Sequence, residues 1–507
     1  MKLLKLMLCL LLLSLPAPVM SRAQRSNKTQ DKPNIILILA DDLGWGDLGS
    51  YGQTKIKTPH LDRLAAEGIR FTQFYSGSPV CAPSRCVLMT GKHGGHAYIR
   101  DNREAKPEGQ QPIPASEVTI AELLKSRGYA TGAFGKWGLG FVGTEGDPNK
   151  QGFDLFYGYN CQREAHNFYP DHLWRNEQRI VLEGNNRGLT GKHYSHDLIE
   201  AEALQFIRDN QDRPFFLYAP FTIPHLALQV PEDSLAEYVG KWDDPPYDGG
   251  NGYLPHPAPR AAYAAMITRM DRSVGRMMAL LKELRLDENT LVIFTSDNGG
   301  AFGEVTRDFE FKPGRLGGTD YVFFGSTGKF RAFKGSVYEG GIRVPFIARW
   351  PGRIKAGLVS ELPAVFYDLM PTLAEVAGMK PPANIDGVSL LPALTGSGRQ
   401  KKHEFLFWDF GGYGGQQAVR SGDWKGVRRN LHQGNTRIEL YNLATDIGER
   451  VDLADKYPDI VRLFTQIMQR EHTPSDVFPV KVLDTPASPN IKPKASDSKS
   501  PKGSGEQ

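Results

Sequence analysis

Asn34-Ile35-Ile36-Leu37-Ile38-Leu39-Ala40-Asp41-Asp42 is an uninterrupted apolar run that ends in two adjacent carboxylates. Such a run is typical of a strand that is buried on both faces of a sheet. Four more runs of this kind are Ala130–Phe134, Phe215–Ala219, Leu291–Thr295 and Val344–Arg349. Helical patterns lie between them at Leu61–Glu67, Thr119–Ser126, His196–Asp209 and Ala261–Leu284. The alternation predicts an α/β fold whose large, mostly parallel sheet is covered by helices on both faces.

The pattern changes around Gly396–Lys402. Short alternating segments then predict a small antiparallel sheet at Glu404–Trp408, Gln417–Ser421, Trp424–Arg428 and Ile438–Asn442, followed by a helix at Ile460–Glu471. We therefore divide the 507 residues into a leader at 1–23, an α/β domain at 24–400, an antiparallel-sheet subdomain at 401–480 and a tail at 481–507. The tail is rich in Pro, Ser and Lys, and this composition predicts disorder.

The first 23 residues have the pattern of a secretory signal: a basic start, an apolar run at Leu6–Leu15 and a cleavage site at Ser21-Arg22-Ala23. The run is too short for a stable membrane span. We expect an exported protein, secreted or periplasmic, or lysosomal in a eukaryotic host.

The leader and tail together carry more positive charge than the net +4 of the chain, so the folded part is close to neutral. This balance does not suggest a nucleic acid as partner.

A second informative stretch is Cys81-Ala82-Pro83-Ser84-Arg85-Cys86-Val87-Leu88-Met89-Thr90-Gly91. Pro83 and Ser84 suit the first turn of a helix, which would place Cys81 at a helix N-terminus that favours anions. A disulfide between Cys81 and Cys86 is not expected, because an i,i+5 pair in a helix is separated by roughly 8–9 Å. The sequence leaves open whether Cys86 pairs with Cys161.

Acidic residues end two of the predicted strands. Asp41 and Asp42 follow the first, and Asp297 and Asn298 follow the fourth. Ligands of a parallel sheet collect at the carboxyl ends of its strands, so these side chains should meet there. Because adjacent carboxylates repel one another, the cluster predicts a hard divalent cation with oxygen ligands.

The stretch from Cys81 to Gly91 resembles the signature of the sulfatase family, and the resemblance runs from Pro33 to about Glu471. Gly135-Lys136-Trp137-Gly138 and Tyr338–Pro345 are similar to further family sequence. The resemblance implies an alkaline-phosphatase-like fold and a sulfuric ester hydrolase. It also implies that a maturation enzyme oxidises Cys81 to formylglycine, whose hydrate attacks sulfur. The implied Ca²⁺ ligands, with Mg²⁺ as the other candidate ion, are Asp41, Asp42, Asp297, Asn298 and the modified Cys81.

The resemblance also implies roles for four basic residues. Arg85 would hold the formylglycine hydrate and the metal-site carboxylates. Lys136, Lys334 and His225 would bind the substrate. The two lysines would bind sulfate oxygens as negative charge develops, and His225 would protonate the leaving alcohol.

Gly138 departs from the family pattern, because many sulfatases carry there a histidine that is assigned to release of sulfate. The base for that step is therefore open. His166 lies in a polar and aromatic segment, Tyr159–Pro170, and we consider two roles for it: the missing base or sugar contact, or a loop histidine bonded to backbone.

Export and aromatic loops favour a carbohydrate as substrate, and the resemblance to the sulfatase family implies that it is sulfated and suggests a sugar of galactose type. Candidates for sugar contacts are Tyr98, Arg100, Asn102, His166, Tyr169 and Trp174. Trp242, Tyr247 and Tyr253 lie in a Pro/Gly-rich loop and are candidates for the rim of the pocket, although loop aromatics serve equally often in local packing. One alternative is a phosphatase or phosphodiesterase, but this would favour a Ser or Thr nucleophile and a histidine-rich two-metal site. The other is a non-catalytic glycan-binding protein in which Cys81 stays unmodified.

Overall fold

The structure is a computed structural model that describes residues 32–250, 252–301 and 319–484. The predicted leader and residues 485–507 of the predicted tail lie outside these ranges. The first four tail residues, which we expected to be disordered, instead form a short helix, Lys481–Asp484. Within the described residues, none of the helices combines the length and apolar character needed to cross a bilayer.

The strands are β1 Asn34–Ala40, β2 Ile69–Tyr75, β3 Glu104–Ala105, β4 Gly109–Gln110, β5 Ala130–Lys136, β6 Leu155–Tyr159, β7 His172–Arg175, β8 Gln178–Val181, β9 Phe215–Pro220, β10 Thr290–Ser296, β11 Arg343–Arg349, β12 Leu358–Ser360, β13 Ala364–Val365, β14 Leu406–Phe410, β15 Gln416–Ser421, β16 Trp424–Arg429 and β17 Glu439–Asn442. The helices are α1 Pro59–Ala66, α2 Cys81–Thr90, α3 Ile120–Ser126, α4 Ser195–Asp209, α5 Glu232–Leu235, α6 Pro259–Glu283, α7 Tyr321–Phe324, α8 Glu339–Ile342, α9 Leu369–Val376, α10 Leu391–Thr395, α11 Pro458–Arg470 and α12 Lys481–Asp484.

The large sheet has the strand order β12, β2, β11, β10, β1, β9, β5, β6, β7, β8, with β13 also paired to β2. Its centre, from β10 to β6, is parallel, which confirms the predicted fold class. Strand β11, predicted as one of the buried runs, is antiparallel to both of its neighbours. The sheet is therefore mixed, with its parallel part in the middle.

Strand β1 contributes to both faces of the sheet. Ile35, Leu37 and Leu39 pack into one apolar core, and Ile36 and Ile38 pack into the other. Helices α2, α3 and α9 cover the first face, and α1, α4 and α6 cover the second. Because both faces are covered, the strand reads as a continuous apolar run and does not alternate.

The second sheet is antiparallel, in the order β14, β15, β16, β17, and α11 packs against it. A fully buried ion network links it to the large sheet. Lys425 of β16 lies 2.9 Å from both Glu339 of α8 and Glu449. Tyr75 of β2 donates a hydrogen bond to Glu339 at 2.7 Å. The Lys425 ammonium is thus shared by two buried carboxylates, and Arg343 is a second cation on Glu339 at 3.0 Å.

We expect Lys425→Met to lower the free energy of unfolding by about 3–5 kcal/mol, because it removes the cation that the buried Glu339 and Glu449 share. Urea denaturation measures this value. The matched control is Lys402→Met at an exposed position, which should change the free energy by less than about 0.5 kcal/mol. Equal effects of the two substitutions would contradict the structural role of the network.

Candidate active site

The register of two central strands brings the acidic residues together. Ala40 of β1 lies opposite Ser296 of β10, so the residues that follow leave the sheet side by side. The Asp42 backbone N–H donates to Asp297 Oδ1 at 3.1 Å, and Asn298 Nδ2 donates to Asp42 Oδ1 at 2.7 Å. Asp42 adopts a left-handed backbone with φ 65°, a conformation that non-glycine residues rarely occupy outside special sites.

Cys81 is the first residue of α2, as predicted from Pro83 and Ser84. The Ala82 N–H of the first turn donates to Asn102 Oδ1 at 3.0 Å, and Cys81 Sγ lies 3.5 Å from Asp41 Oδ1. Burial and the negative charge of Asp41 raise the pKa of the Cys81 thiol to about 12. An unmodified Cys81 would therefore stay protonated at neutral pH and be a poor nucleophile.

Arg85 and Lys136 compensate the acidic group from one side. Arg85 Nη2 lies 2.8 Å from Asp297 Oδ2 and 3.3 Å from Asp41 Oδ2, and its other terminal nitrogen donates to the Lys136 carbonyl. Lys136 Nζ donates to Asp41 Oδ2 at 2.6 Å. Lys136 is the last residue of β5, a strand that extends two residues beyond its predicted end. All four side chains are buried.

Lys334 and His225 approach from another side. Lys334 Nζ donates to Asp42 Oδ2 at 2.8 Å and lies 3.2 Å from His225 Nε2. His225 Nδ1 lies 3.1 Å from the Leu226 carbonyl, which can only accept, so this contact requires the ring proton on Nδ1. Nε2 is then free to accept the Lys334 proton.

Burial works against the charge of each carboxylate, and the neighbouring cations determine the outcome. For Asp41 the positive charges, of which Lys136 is the strongest, hold its pKa below the ordinary value. Burial raises the pKa of Asp42. Burial and the charge of Asp41 raise the pKa of Asp297 to about 6. The carboxylates of Asp42 and Asp297 are thus not fully compensated by the cations of the neighbouring side chains.

The chemistry of this group fits a metal ion. Potential ligand atoms of Asp41, Asp42, Cys81 and His225 all lie within 4.8 Å of one another. Asn298 Oδ1 is buried and has no hydrogen-bond partner among the described residues, which leaves one more oxygen for a cation. Since carboxylate and amide oxygens dominate, the group suits a hard dication.

A cavity of about 570 Å³ opens over Cys81. Its lining includes His225, Lys334, His166 and Tyr253. The His166 ring stacks on His225 with centroids 4.9 Å apart and planes at 16°. Burial and the neighbouring His225, Lys136 and Lys334 lower the pKa of His166 to about 2, so its ring is neutral.

Comparison with family models shows which protein family this chain belongs to. The Sulfatase family model matches residues 33–379. The chain belongs to the sulfatase family. A second model, described as N-sulphoglucosamine sulphohydrolase, C-terminal, matches residues 328–472, which include the antiparallel sheet.

Two relatives illustrate the similarity of this sulfatase to known enzymes. It is 33% identical to N-acetylgalactosamine-6-sulfatase of Canis lupus familiaris, over 86% of this chain and 85% of the relative. It is 34% identical to arylsulfatase A of Homo sapiens, over 86% and 87% of the two chains. The matches span nearly the whole described chain, so the assignment as an enzyme of the sulfatase class rests on full-length similarity.

Among solved structures, Ps i-CgsB in complex with k-i-k-neocarrahexaose superimposes with a TM-score of 0.71 at 29% identity, covering 87% of this sulfatase and 92% of that chain. The phosphonate monoester hydrolase of Agrobacterium radiobacter, at 20% identity and a TM-score of 0.60, shares the fold alone and covers 87% and 95% of the two chains.

The structure separates the predicted sugar contacts into two groups. Asn102, His166 and Tyr253 line the cavity. Arg100, in contrast, is buried and donates to backbone carbonyls, and Trp242 packs between aromatic rings. The others lie in local packing or hydrogen bonds: Tyr98 and Tyr169 in the apolar cores, Trp174 bonded to Glu108, and Tyr247 bridged to His256.

The sequence also left residues of the site unrecognised. Tyr413 lines the cavity from the loop between β14 and β15, and the available signal was its setting, Gly411-Gly412-Tyr413-Gly414-Gly415. Near Gly138, the amide of Gln162 would lie 3.1 Å from a Cβ at that position. Gln162 therefore borders the space that a side chain at position 138 would occupy.

The three described cysteines, Cys81, Cys86 and Cys161, are all free. The disulfide between Cys86 and Cys161, which the sequence left undecided, therefore does not form.

Proposed function

We propose that this sulfatase hydrolyses sulfate esters of carbohydrates, with formylglycine made from Cys81 and with Ca²⁺ held by the acidic cluster. The observation that carries the proposal is the position of Cys81. It lies at the N-terminus of α2, 3.5 Å from Asp41, at the floor of a cavity that also includes Lys334 and His225. Such a setting favours an anionic substrate.

Cys81 acts through its oxidised form. Its raised pKa makes thiolate chemistry unfavourable, whereas formylglycine, as its hydrate, supplies one hydroxyl that attacks sulfur and a second that allows sulfate to leave. Arg85 supports this position indirectly, because it fixes Asp41, the neighbour of Cys81, and Asp297 at the same time. A host enzyme that generates formylglycine is the partner that this chemistry requires.

Lys136 and Lys334 bind the oxygens of the transferred sulfuryl group. Both ammonium groups contact the acid pair that follows β1, and burial or partial burial strengthens their attraction for an anion. Fixed cations stabilise negative charge as it develops on those oxygens, without reorganisation during the reaction.

His225 protonates the leaving alcohol. Its Nδ1–H is fixed by the Leu226 carbonyl, and Nε2 shares a contact with Lys334 at 3.2 Å. Burial lowers the pKa of His225 well below its ordinary value, so Nε2 carries no proton of its own in this arrangement. The proton that reaches the departing alkoxide, which is a stronger base than either group, therefore passes from Lys334 Nζ through Nε2 and leaves Lys334 neutral.

His166 accepts the proton that must leave when sulfate is released. Stacking on His225 holds this ring at the cavity wall, and the negative charge of the bound sulfate would raise the lowered pKa of His166 toward the range that a base requires. Gly138 offers no side chain for the step, so His166 is the cavity histidine left for it.

Asp41, Asp42, Asp297 and Asn298, with the modified Cys81, would hold Ca²⁺, and Mg²⁺ is the second candidate. The ion supplies positive charge that polarises the oxygens near it. Two observations support this ligand set: Asn298 Oδ1 has no hydrogen-bond partner among the described residues, and the pKa of Asp297 is raised even though Arg85 contacts it.

The relatives support the substrate class that we propose. One acts, by name, on N-acetylgalactosamine 6-sulfate, and a solved neighbour binds a neocarrahexaose. A sulfated sugar of galactose type is therefore the substrate that we propose. Export, to the periplasm, the exterior or a lysosome, is supported by the N-terminal pattern alone.

Cys81→Ala should abolish sulfate release from sulfated galactose saccharides, because alanine cannot be converted to formylglycine. Cys81→Ser should also be inactive unless the host matures serine. The matched control, Cys161→Ala, should retain activity once its folding is confirmed by melting temperature. Ion chromatography of free sulfate is the measurement.

Full activity of Cys81→Ala would contradict the proposal. Release of phosphate from phosphate esters without release of sulfate would favour the phosphatase alternative. Glycan binding with no release by the wild type would favour a non-catalytic binding protein.

Removal of Ca²⁺ with EGTA should lower both the melting temperature and the activity, and restoring Ca²⁺ should reverse both. At a concentration 100 times Kd, the ion stabilises the folded protein by about 2.7 kcal/mol. Asn298→Ala should weaken this response, whereas the exposed control Asn435→Ala should not. A melting temperature that is independent of Ca²⁺ contradicts the site, and a larger response to Mg²⁺ would identify that ion instead.

His166→Ala should slow steady-state turnover roughly 100-fold or more while leaving a rapid first release of alcohol, because a base contributes about 10²–10⁴-fold. Stopped-flow detection of the alcohol separates the burst from the steady state. The control His60→Ala, at an exposed position, should match the wild type. Unchanged turnover in His166→Ala would contradict the role of His166 as the base and would favour a structural role in its loop.

A further inference from the structure

Tyr413 has an unusual combination of exposure and position. Its side chain is 59% exposed, the highest value among the large hydrophobic residues that the structure describes as exposed. It nevertheless lines the same cavity as Cys81 and Lys334. The residue comes from the loop between β14 and β15, so a loop of the second sheet contributes to the lining of the cavity.

The backbone at Tyr413 is strained. Its φ is 48°, in the left-handed region, where a bulky side chain is a genuine outlier. Such strain persists only where surrounding structure imposes it, and it is frequent at functional sites. The flanking loop is fixed by backbone hydrogen bonds, from Leu431 to Gly415 at 3.1 Å and from His432 to Gly414 at 2.9 Å.

The ring of Tyr413 lies close to the loop that carries Lys334. A Cβ on Gly335, the residue after Lys334, would lie 3.3 Å from Tyr413 Cε1, so glycine permits this close approach. Gly335 is itself anchored, because its N–H donates to Pro79 at 2.8 Å and its carbonyl accepts from Gln416 at 2.7 Å. The Phe410 ring supports the tyrosine at a centroid distance of 5.8 Å.

A second aromatic ring lines the cavity. Tyr253 packs against His166 at 5.0 Å and His225 at 6.1 Å, so it belongs to the wall near the proposed acid and base. Tyr413 is the more exposed of the two and is therefore the one at the rim. An exposed, rigid aromatic face offers a large apolar area with a polar tip, which suits the C–H face and hydroxyls of a pyranose ring.

We propose that Tyr413 stacks on the sugar adjacent to the one that carries the scissile sulfate, and so selects oligosaccharides over monosaccharides. The inference rests on the proposed function, because it assumes that a sulfated carbohydrate occupies the cavity. Its physical basis is independent of the sulfate chemistry: the ring is fixed by Gly335 and Phe410, and solvent reaches its outer face.

The test compares release of sulfate from a sulfated galactose monosaccharide and from a sulfated galactose oligosaccharide. In Tyr413→Ala, kcat/KM for the oligosaccharide should fall roughly 10-fold, mainly through KM, the size expected for loss of one aromatic contact. The value for the monosaccharide should stay within about twofold, and inhibition by inorganic sulfate should be unchanged. Tyr413→Phe and Tyr413→Trp should keep the preference for the oligosaccharide.

The control is Leu463→Ala, an exposed apolar residue of the C-terminal region, which should leave both substrates unaffected. Equal losses on the two substrates, or no loss on either, would overturn the role of Tyr413. If Tyr413→Ala fails to fold, a Tyr413→Phe enzyme that loses the preference would overturn it equally. Failure of the wild type to release sulfate from either saccharide would instead reject the proposed function.

Discussion

The parallel pairing of β1 with β10 is the constraint on which the rest of the site depends. Since Ala40 lies opposite Ser296, both strands end at one level and deliver Asp41, Asp42 and Asp297 to one buried point. Hydrogen bonds at both ends of the strand pair fix this register within the buried core: Asn34 Nδ2 donates to Thr290 Oγ1 at 3.3 Å, and the Leu43 N–H donates to Ser296 Oγ at 2.9 Å. The core therefore imposes a concentration of negative charge that the protein must neutralise.

The side chains that compensate this negative charge come from distant parts of the chain. Arg85 comes from the helix that begins at Cys81, Lys136 from the end of β5, and Lys334 from the loop before α8. The position of α8 in turn depends on the second sheet, since Lys425 compensates Glu339 there. Charge compensation thus couples the two sheets to the site and explains why the antiparallel sheet also reaches the cavity, through Tyr413.

The sequence was sufficient where local patterns carry the information. Strands β1, β5, β9 and β10, helix α2 and the acidic strand ends were predictable, because continuous apolar runs and Pro-Ser at a helix start are local signals. Strand β6, which also belongs to the parallel centre, was not predicted. The edge strands β7 and β8 and the antiparallel direction of β11 were not, since partners distant in the chain decide them. Tyr413 escaped recognition for the same reason: its relation to Cys81 exists only after the two sheets have packed.

The account depends on Cys81 being converted to an aldehyde in the working enzyme. Peptide mass spectrometry of the Cys81 segment, on enzyme purified with measured sulfate-releasing activity, tests this most directly. The account predicts a peptide about 18 Da lighter than the unmodified sequence, as expected for oxidation of the thiol to an aldehyde, in a fraction that parallels specific activity. A fully active preparation in which every such peptide keeps its thiol would contradict it.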